Sequence, residues 1–302
     1  MAESVTVRAP AKVNLHLGVA GVRADGFHPL GTVFQAVSLY DDVTVIESED
    51  WSVELLEPDP EVPLDGTNLA VRAGQALVAH HGLDRAAHIE IHKGIPVAGG
   101  MAGGSADAAA TLVALDRLWS LETTDDDLLG LAGRLGSDVP FALLGGTAVG
   151  TGRGEIVEPV RSACDLWWTV VPDGAGLPTP TVFASYDALA QDPDGLVVFG
   201  DQTPSDLLAA LAAGDAQAVI AALHNDLTVP AYVLRPELAQ RARRLTELTG
   251  AGVLLSGSGP TQLLAHVDAE GARGAAAALV EAGIAHTTAH GPVAGVHVVS
   301  YG

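Results

Sequence analysis

Ile95-Pro96-Val97-Ala98-Gly99-Gly100-Met101-Ala102-Gly103-Gly104-Ser105-Ala106-Asp107, running into Ala108-Ala109-Ala110-Thr111-Leu112-Val113-Ala114-Leu115, is the stretch on which the reading of this sequence turns. Glycines reach backbone angles closed to other residues, so a run of them lets successive N–H groups converge on one anion. A helix opening directly afterwards adds its free N–H groups and the positive end of its dipole. The stretch therefore reads as a phosphate-binding loop. The periodicity predicts a helix from Ser105 or Ala106, with apolar residues 108, 109, 112, 115 and 119 on its inward side. Asp107 then stands in the first turn, either as a partner of the helix dipole or as a group at the phosphate site.

The rest of the chain constrains what such a loop serves. With 302 residues and 48% hydrophobic content it can bury a sizeable core, and two domains are expected, residues 1–158 and 159–302. A formal net charge of -22 argues against nucleic acid or an anionic membrane as partner. Any anionic ligand must be met by local donors or by a metal ion. Cys164, the single cysteine, has no internal disulfide partner, and the first twelve residues lack the pattern of a signal peptide, so a cytoplasmic location is expected. The longest uncharged tract, Leu248 to Val267, is too rich in glycine and polar residues to be a membrane helix. Monomer and homodimer both remain open.

Upstream of the loop, Ala9 to Val19 alternates without a fault, Ala9, Ala11, Val13, Leu15, Leu17 and Val19 pointing one way. Lys12, Asn14 and His16 share the other face, which is either an ordinary solvated strand side or one wall of a cleft. Lys12 and Lys93 are the only lysines among the 15 basic residues, which suggests that a compact ammonium is wanted at these positions. Arg23-Ala24-Asp25-Gly26-Phe27-His28 is a turn by composition, and it places a flat apolar ring and an imidazole side by side. Thr32 to Ile46 reads as two strands with a turn at Asp41-Asp42. Asn68 precedes the helical pattern Leu69 to His80 as an N-cap. His88, Glu90 and His92 share a strand face, an arrangement that more commonly is solvated than metal-binding. Asp138 is the only charge between Arg134 and Arg153 and stands in apolar surroundings, where a carboxylate needs a partner or a task. Farther on, Leu177 to Phe183 reads as an extended loop running into a helical pattern over Val182 to Leu189, and Ser256-Gly257-Ser258-Gly259 as a turn between two strands.

Known phosphate-binding signatures do not fit. A Walker loop requires glycine followed by lysine, and neither lysine has that context. Gly257-Ser258-Gly259 runs into a strand, so it is no dinucleotide fingerprint. Serine-nucleophile and cysteine/histidine zinc frameworks are absent from the sequence.

Lys12 on its strand, the glycine loop feeding a helix, the isolated Asp138 and the distal Ser256–Gly259 turn together resemble the GHMP kinase superfamily. Pro10-Ala11-Lys12-Val13-Asn14, the Asp25-Gly26-Phe27-His28 turn and Gly136-Ser137-Asp138-Val139-Pro140 narrow the resemblance to the branch that phosphorylates a cytidine-diphosphate sugar alcohol in isoprenoid precursor synthesis. The resemblance implies an α+β, two-domain architecture, with an N-terminal ATP-binding domain, a C-terminal ferredoxin-like domain and a cleft between them. It further implies ATP and Mg2+ as cofactors, with residues 96–106 wrapping the ATP phosphates and Ser105 as the candidate metal contact. Asp138 would be the base, Lys12 its charge-stabilising partner, and Asn14, Phe27, His28 and Phe183 would meet the acceptor. Asn68 would stand by the adenine, although its capping role explains it equally. Ala98, Met101, Ala102 and Ala106 depart from the commoner Gly, Leu, Gly and Ser; alanine keeps the backbone N–H groups, whereas Ala106 lacks a hydroxyl. The alternatives are a GHMP kinase acting on homoserine or mevalonate, and a nucleotide-binding sensor on the same scaffold.

Overall fold

Alternation in the first strand has an unexpected outcome, because both of its faces are covered. β1 (Ser4–Val19) is buried on each side from Ala9 onward, with Lys12, Asn14 and His16 at 6%, 3% and 1% exposure. The polar side is thus a wall of the interior and not a solvated face. The computed structural model describes residues 3–191 and 200–302.

β2 (Leu30–Ser48) runs antiparallel to β1 along almost its whole length, from Val19 opposite Leu30 to Ser4 opposite Ile46. The turn expected at Asp41-Asp42 does not form. Asp42 instead receives the Arg8 guanidinium at 2.7 Å, and Asp41 is fully buried, accepting the N–H groups of Gly94 and Ile95. A carboxylate with partners of this kind sits within a strand without an uncompensated desolvation penalty. The first sheet has the order β12-β1-β2-β4-β3, built from β3 (Ser52–Leu55), β4 (Ala86–His92) and β12 (His297–Tyr301). β5 (Thr147–Thr151) pairs with the start of β2, and β6 (Ile156–Pro159) with β5. The short β8 (His224–Asn225) lies parallel to β1. Asp226 fixes it there by accepting the Val19 N–H at 2.9 Å.

Two helices close one side of this sheet. α1 (Leu69–His81) begins where Asn68 accepts the N–H of Ala70, as its capping chemistry requires. α2 (Gly103–Trp119) packs against α1, β1 and β2, and its Ala108, Ala109 and Ala110 are small enough to bring helix and sheet close. Leu112 and Leu115 complete that contact with no exposed surface, each side chain contributing about 1.5–3 kcal/mol by burial. α3 (Asp125–Leu135), capped by Thr124, and α4 (Val139–Leu144) follow.

The second sheet is antiparallel throughout, in the order β11-β7-β10-β9, from β7 (Leu166–Val171), β9 (Val253–Leu255), β10 (Gln262–His266) and β11 (Thr287–Gly291). α9 (Pro236–Thr249) and α10 (Ala269–Glu281) pack beside it. α5 (Thr179–Ala190) pairs with α8 (Thr228–Leu234), while α6 (Ser205–Ala213) and α7 (Ala216–Ala221) form a small hairpin. Residue 158 falls within β6, and β8 and β12 return from beyond it to the first sheet.

Candidate active site

The glycine loop is stitched down at both ends. Met101 is fully buried, and its carbonyl accepts the Lys12 N–H at 3.2 Å, which fixes the loop to β1. Gly100 lies on the distal Ser256–Gly259 turn so closely that a methyl group there would stand 2.1 Å from Ser256 O. Ser256 Oγ donates to the Gly100 carbonyl at 3.1 Å. Backbone φ is positive at alternate residues, 51° at Ala98, 80° at Gly100 and 64° at Ala102, an alternation that turns N–H groups toward one point. Alanine holds this left-handed conformation at a cost of roughly 1–2 kcal/mol per residue. The two replacements therefore keep the glycine geometry and store strain in it. α2 opens at Gly103, two residues before the expected start, because Ala102 already supplies its N-cap position.

Below the loop lies a charge cluster. Lys93 Nζ donates to Asp41 Oδ2 at 2.5 Å and to Asp107 Oδ2 at 2.7 Å. Burial alone would lower the Lys93 ammonium, but Asp107 and Asp41 outweigh it and raise its pKa. Burial pushes the Asp107 carboxyl up to about 8, against the pull of Lys93, and its Oδ1 has no hydrogen-bond partner among the described residues. Asp107 thus lies beyond the first turn and pairs with a lysine beneath the loop, so it is not the helix-dipole partner that its sequence position suggested.

Lys12 belongs to a second cluster. Its Nζ donates to Asn14 Oδ1 at 2.8 Å and stands 3.6 Å from Asp138 Oδ2 and 5.5 Å from the Phe34 ring centre. The Asn14 amide donates to Thr32 Oγ1, which donates onward to the His16 carbonyl. This chain of bonds fixes the ammonium in place. Asp138 occupies the N-cap position of α4 without taking a capping bond, and its side chain is 32% exposed. His16, deeper on the same strand face, is pushed down to about 4 by burial and then by His224, with Asp226 opposing.

A third group is aromatic. His28 Nδ1 lies 2.8 Å from the Ala20 carbonyl, which can only accept, so Nδ1 carries a proton. The imidazole packs on Phe183 at 5.0 Å and edge-on to Tyr186 at 5.8 Å. Phe183 stands on α5, which opens at Thr179, inside the stretch expected as an extended loop and three residues before the helical pattern expected from Val182. Phe27 is half exposed, and the Arg153 guanidinium lies 4.9 Å from its ring centre.

One cleft of about 1060 Å3 joins all three groups, from Pro96–Gly104 through Lys12, Asn14 and Asp138 to Phe27, His28 and Phe183. That volume lies at the upper end of single-ligand pockets, so it accommodates two ligands side by side. Asn68, Lys93 and Arg153 also line it; the sequence reading attached no site role to Arg153 and only a hint to Lys93. Ala106 is buried in the core, and neither it nor Ser105, whose hydroxyl is turned toward Gly136, lines the cleft. The strand face flagged at His88 and Glu90 does gather three ligand atoms within 4.8 Å of one another, but with Glu54 in place of His92 and away from the cleft.

Comparison with known proteins agrees with this arrangement. Over 302 residues the chain is 56% identical to a 4-diphosphocytidyl-2-C-methyl-D-erythritol kinase from a Nocardioides species, covering 98% of this chain and 100% of the relative. The chain belongs to the 4-diphosphocytidyl-2-C-methyl-D-erythritol kinase family. A Thermobifida fusca member of the family is 50% identical, with 98% of each chain covered. A crystal structure of 4-(cytidine 5'-diphospho)-2C-methyl-D-erythritol kinase superposes with a TM-score of 0.75 at 34% identity, over 94% of this chain and 98% of that one. Residues 68–146 match the family described as GHMP kinases N terminal domain, a segment that contains the glycine loop and Asp138. Membership makes the protein a small-molecule phosphotransferase of the GHMP kinase fold. No described helix is long and apolar enough to cross a membrane.

Proposed function

We propose that this chain transfers the terminal phosphoryl group of ATP to the 2-hydroxyl of 4-diphosphocytidyl-2-C-methyl-D-erythritol, in the non-mevalonate route to isoprenoid precursors. The observation that carries the proposal is the contact of Lys12 and Asp138 at the junction between a phosphate loop and an aromatic pocket. A phosphoryl group held by the loop and a hydroxyl held from the aromatic side would meet there.

Phosphoryl transfer asks a protein for in-line positioning and for charge stabilisation, with little covalent chemistry. Asp138 would accept the proton of the attacking hydroxyl, since its carboxylate takes no capping bond. Lys12, held by Asn14, would neutralise charge on the transferring group. Residues 96–104 would hold the ATP phosphates through backbone N–H groups, with Asn68 beside the nucleotide. On the other side cytosine would stack between Phe27 and Phe183. His28, with Nδ1 on the Ala20 carbonyl and Nε2 3.5 Å from Asp187 Oδ2, would flank the polar edge of the base.

A divalent ion fits this site. Lys93 is already engaged by Asp41 and Asp107, so the triphosphate needs more positive charge than the loop supplies. The cleft offers the hard carboxylate oxygens of Asp138, whereas the Ser105 hydroxyl is turned away from it, which suits Mg2+ bound mainly through phosphates. The ion would supply charge neutralisation of the phosphates.

The deciding experiment is ADP release from Mg-ATP on addition of the cytidine substrate, alongside homoserine and mevalonate. Turnover with the cytidine compound alone is expected. Turnover with either other alcohol would reassign the acceptor, and nucleotide binding without ADP release under every condition would make the chain a sensor.

A further inference from the structure

We propose that Arg153 is the subsite for the diphosphate of the acceptor, and that it sets a preference for a nucleoside diphosphate over an uncharged nucleoside. This rests on the acceptor assignment made above.

Arg153 stands at the tip of the hairpin between β5 and β6, flanked by Gly152 at φ 71° and Gly154 at φ 101°. The Gly152 carbonyl accepts the Leu30 N–H at 2.8 Å, so the tip is tied to the start of β2. On one side the guanidinium covers Phe27, where the base would stack. On the other, Gly154 lies against Ser137, the residue before Asp138, a methyl group at Gly154 falling 3.9 Å from Ser137 Cβ. Arg153 therefore stands between the base end and the hydroxyl end of the acceptor. In a nucleoside diphosphate ester of a sugar alcohol, the group that lies between those ends is the diphosphate.

The side chain is held ready for an anion. Glu155 accepts both the Arg153 backbone N–H at 2.5 Å and its Nε at 3.3 Å, while the guanidinium rests over the Phe27 ring. Its two terminal nitrogens have no hydrogen-bond acceptor among the described residues. Two parallel N–H donors on a fixed plane match two phosphate oxygens, a geometry that a lysine ammonium cannot reproduce. Charge points the same way. Of the three cationic side chains lining the cleft, Lys93 is held by Asp41 and Asp107 and Lys12 faces Asp138. Only Arg153 lies on the acceptor side, in a chain of net charge -22 that otherwise repels a diphosphate.

Isothermal titration of the full chain with CDP and with cytidine tests the assignment. Arg153→Gln is expected to weaken CDP by about 10-fold or more, the loss of charge-assisted hydrogen bonds, while cytidine and ATP bind as before. Arg153→Lys should recover only part of the CDP affinity, because it restores the charge without the fork. Equal weakening of CDP and cytidine would overturn the proposal, since Arg153 would then only prop Phe27. Unchanged CDP binding in Arg153→Gln would overturn it as well. If neither compound bound the wild-type protein, the acceptor assignment itself would fall.

Discussion

Replacing Gly100 by alanine should do damage out of proportion to one methyl group. The new Cβ would lie 2.1 Å from Ser256 O, 2.8 Å from Gly259 N and 3.0 Å from Gly259 Cα, all backbone atoms that cannot rotate away. Ordinary contact begins near 3.4 Å, so the loop must lift from the Ser256–Gly259 turn by more than an ångström. Holding alanine at φ 80° adds roughly 1–2 kcal/mol. Losing the Ser256 Oγ bond to the Gly100 carbonyl adds about 1 kcal/mol. Together these give a destabilisation of about 2–3 kcal/mol. A displacement of about 1 Å at the phosphate site also lowers turnover, on the order of 100-fold. Gly133→Ala on α3, outside the cleft, is the control, since nothing lies within 4 Å of a methyl group at that position. Thermal melts and a coupled ADP assay on both variants decide the matter. If Gly100→Ala melted and turned over like Gly133→Ala, the loop would not be seated on the distal turn.

Other substitutions separate the remaining groups. Asp138→Asn should lower kcat by about 10^2–10^4-fold, and Lys12→Met by about 10^2–10^3-fold, with melting temperatures close to wild type; near-normal turnover in either would remove it from the chemistry. Phe27→Ala should raise KM for the cytidine substrate by about 10-fold and leave that for ATP unchanged, as expected of a stacking platform; a matching rise for ATP would contradict the stacking role. Asp107 predicts a pH effect. The folded chain keeps this carboxyl proton to about 8, whereas an unfolded aspartate releases it near ~3.9. Between those values the folded state binds the extra proton, so this group makes the fold less stable as pH rises from about 4 to about 8. Asp107→Asn should melt at similar temperatures at pH 5 and pH 8 after subtraction of changes common to both proteins, and a wild-type slope in the variant would rule the effect out.

The parts of the site that follow local rules were legible in the sequence. Strict alternation put Lys12 and Asn14 on one face of β1, glycine content marked the loop that lines the cleft, and isolation marked Asp138. What the alternation could not show is that a polar face can be buried, because that depends on distant chain covering it. Asp41 looked like a turn for the same reason: its partners, Lys93 and the N–H groups of Gly94 and Ile95, lie more than fifty residues away. Arg153 escaped notice because a lone arginine between glycines reads as a surface turn. Only the tertiary approach of two loops sets it over Phe27. The stretch before Phe183 was read as a loop running into a helix at Val182, yet one of its two prolines, Pro180, stands in the first turn of α5, where a missing N–H does no harm.

Ala98 and Ala102 bear on how the loop meets its ligand. A loop of glycines alone samples many conformations when empty and must surrender that freedom to close on phosphates. At φ 51° and 64°, however, each alanine holds a conformation that costs it roughly 1–2 kcal/mol, so the loop keeps its shape through its ties to β1 and to the distal turn. Those ties form when the chain folds. If ATP binds as proposed, it would meet a receptor whose shape is set by the fold before it arrives.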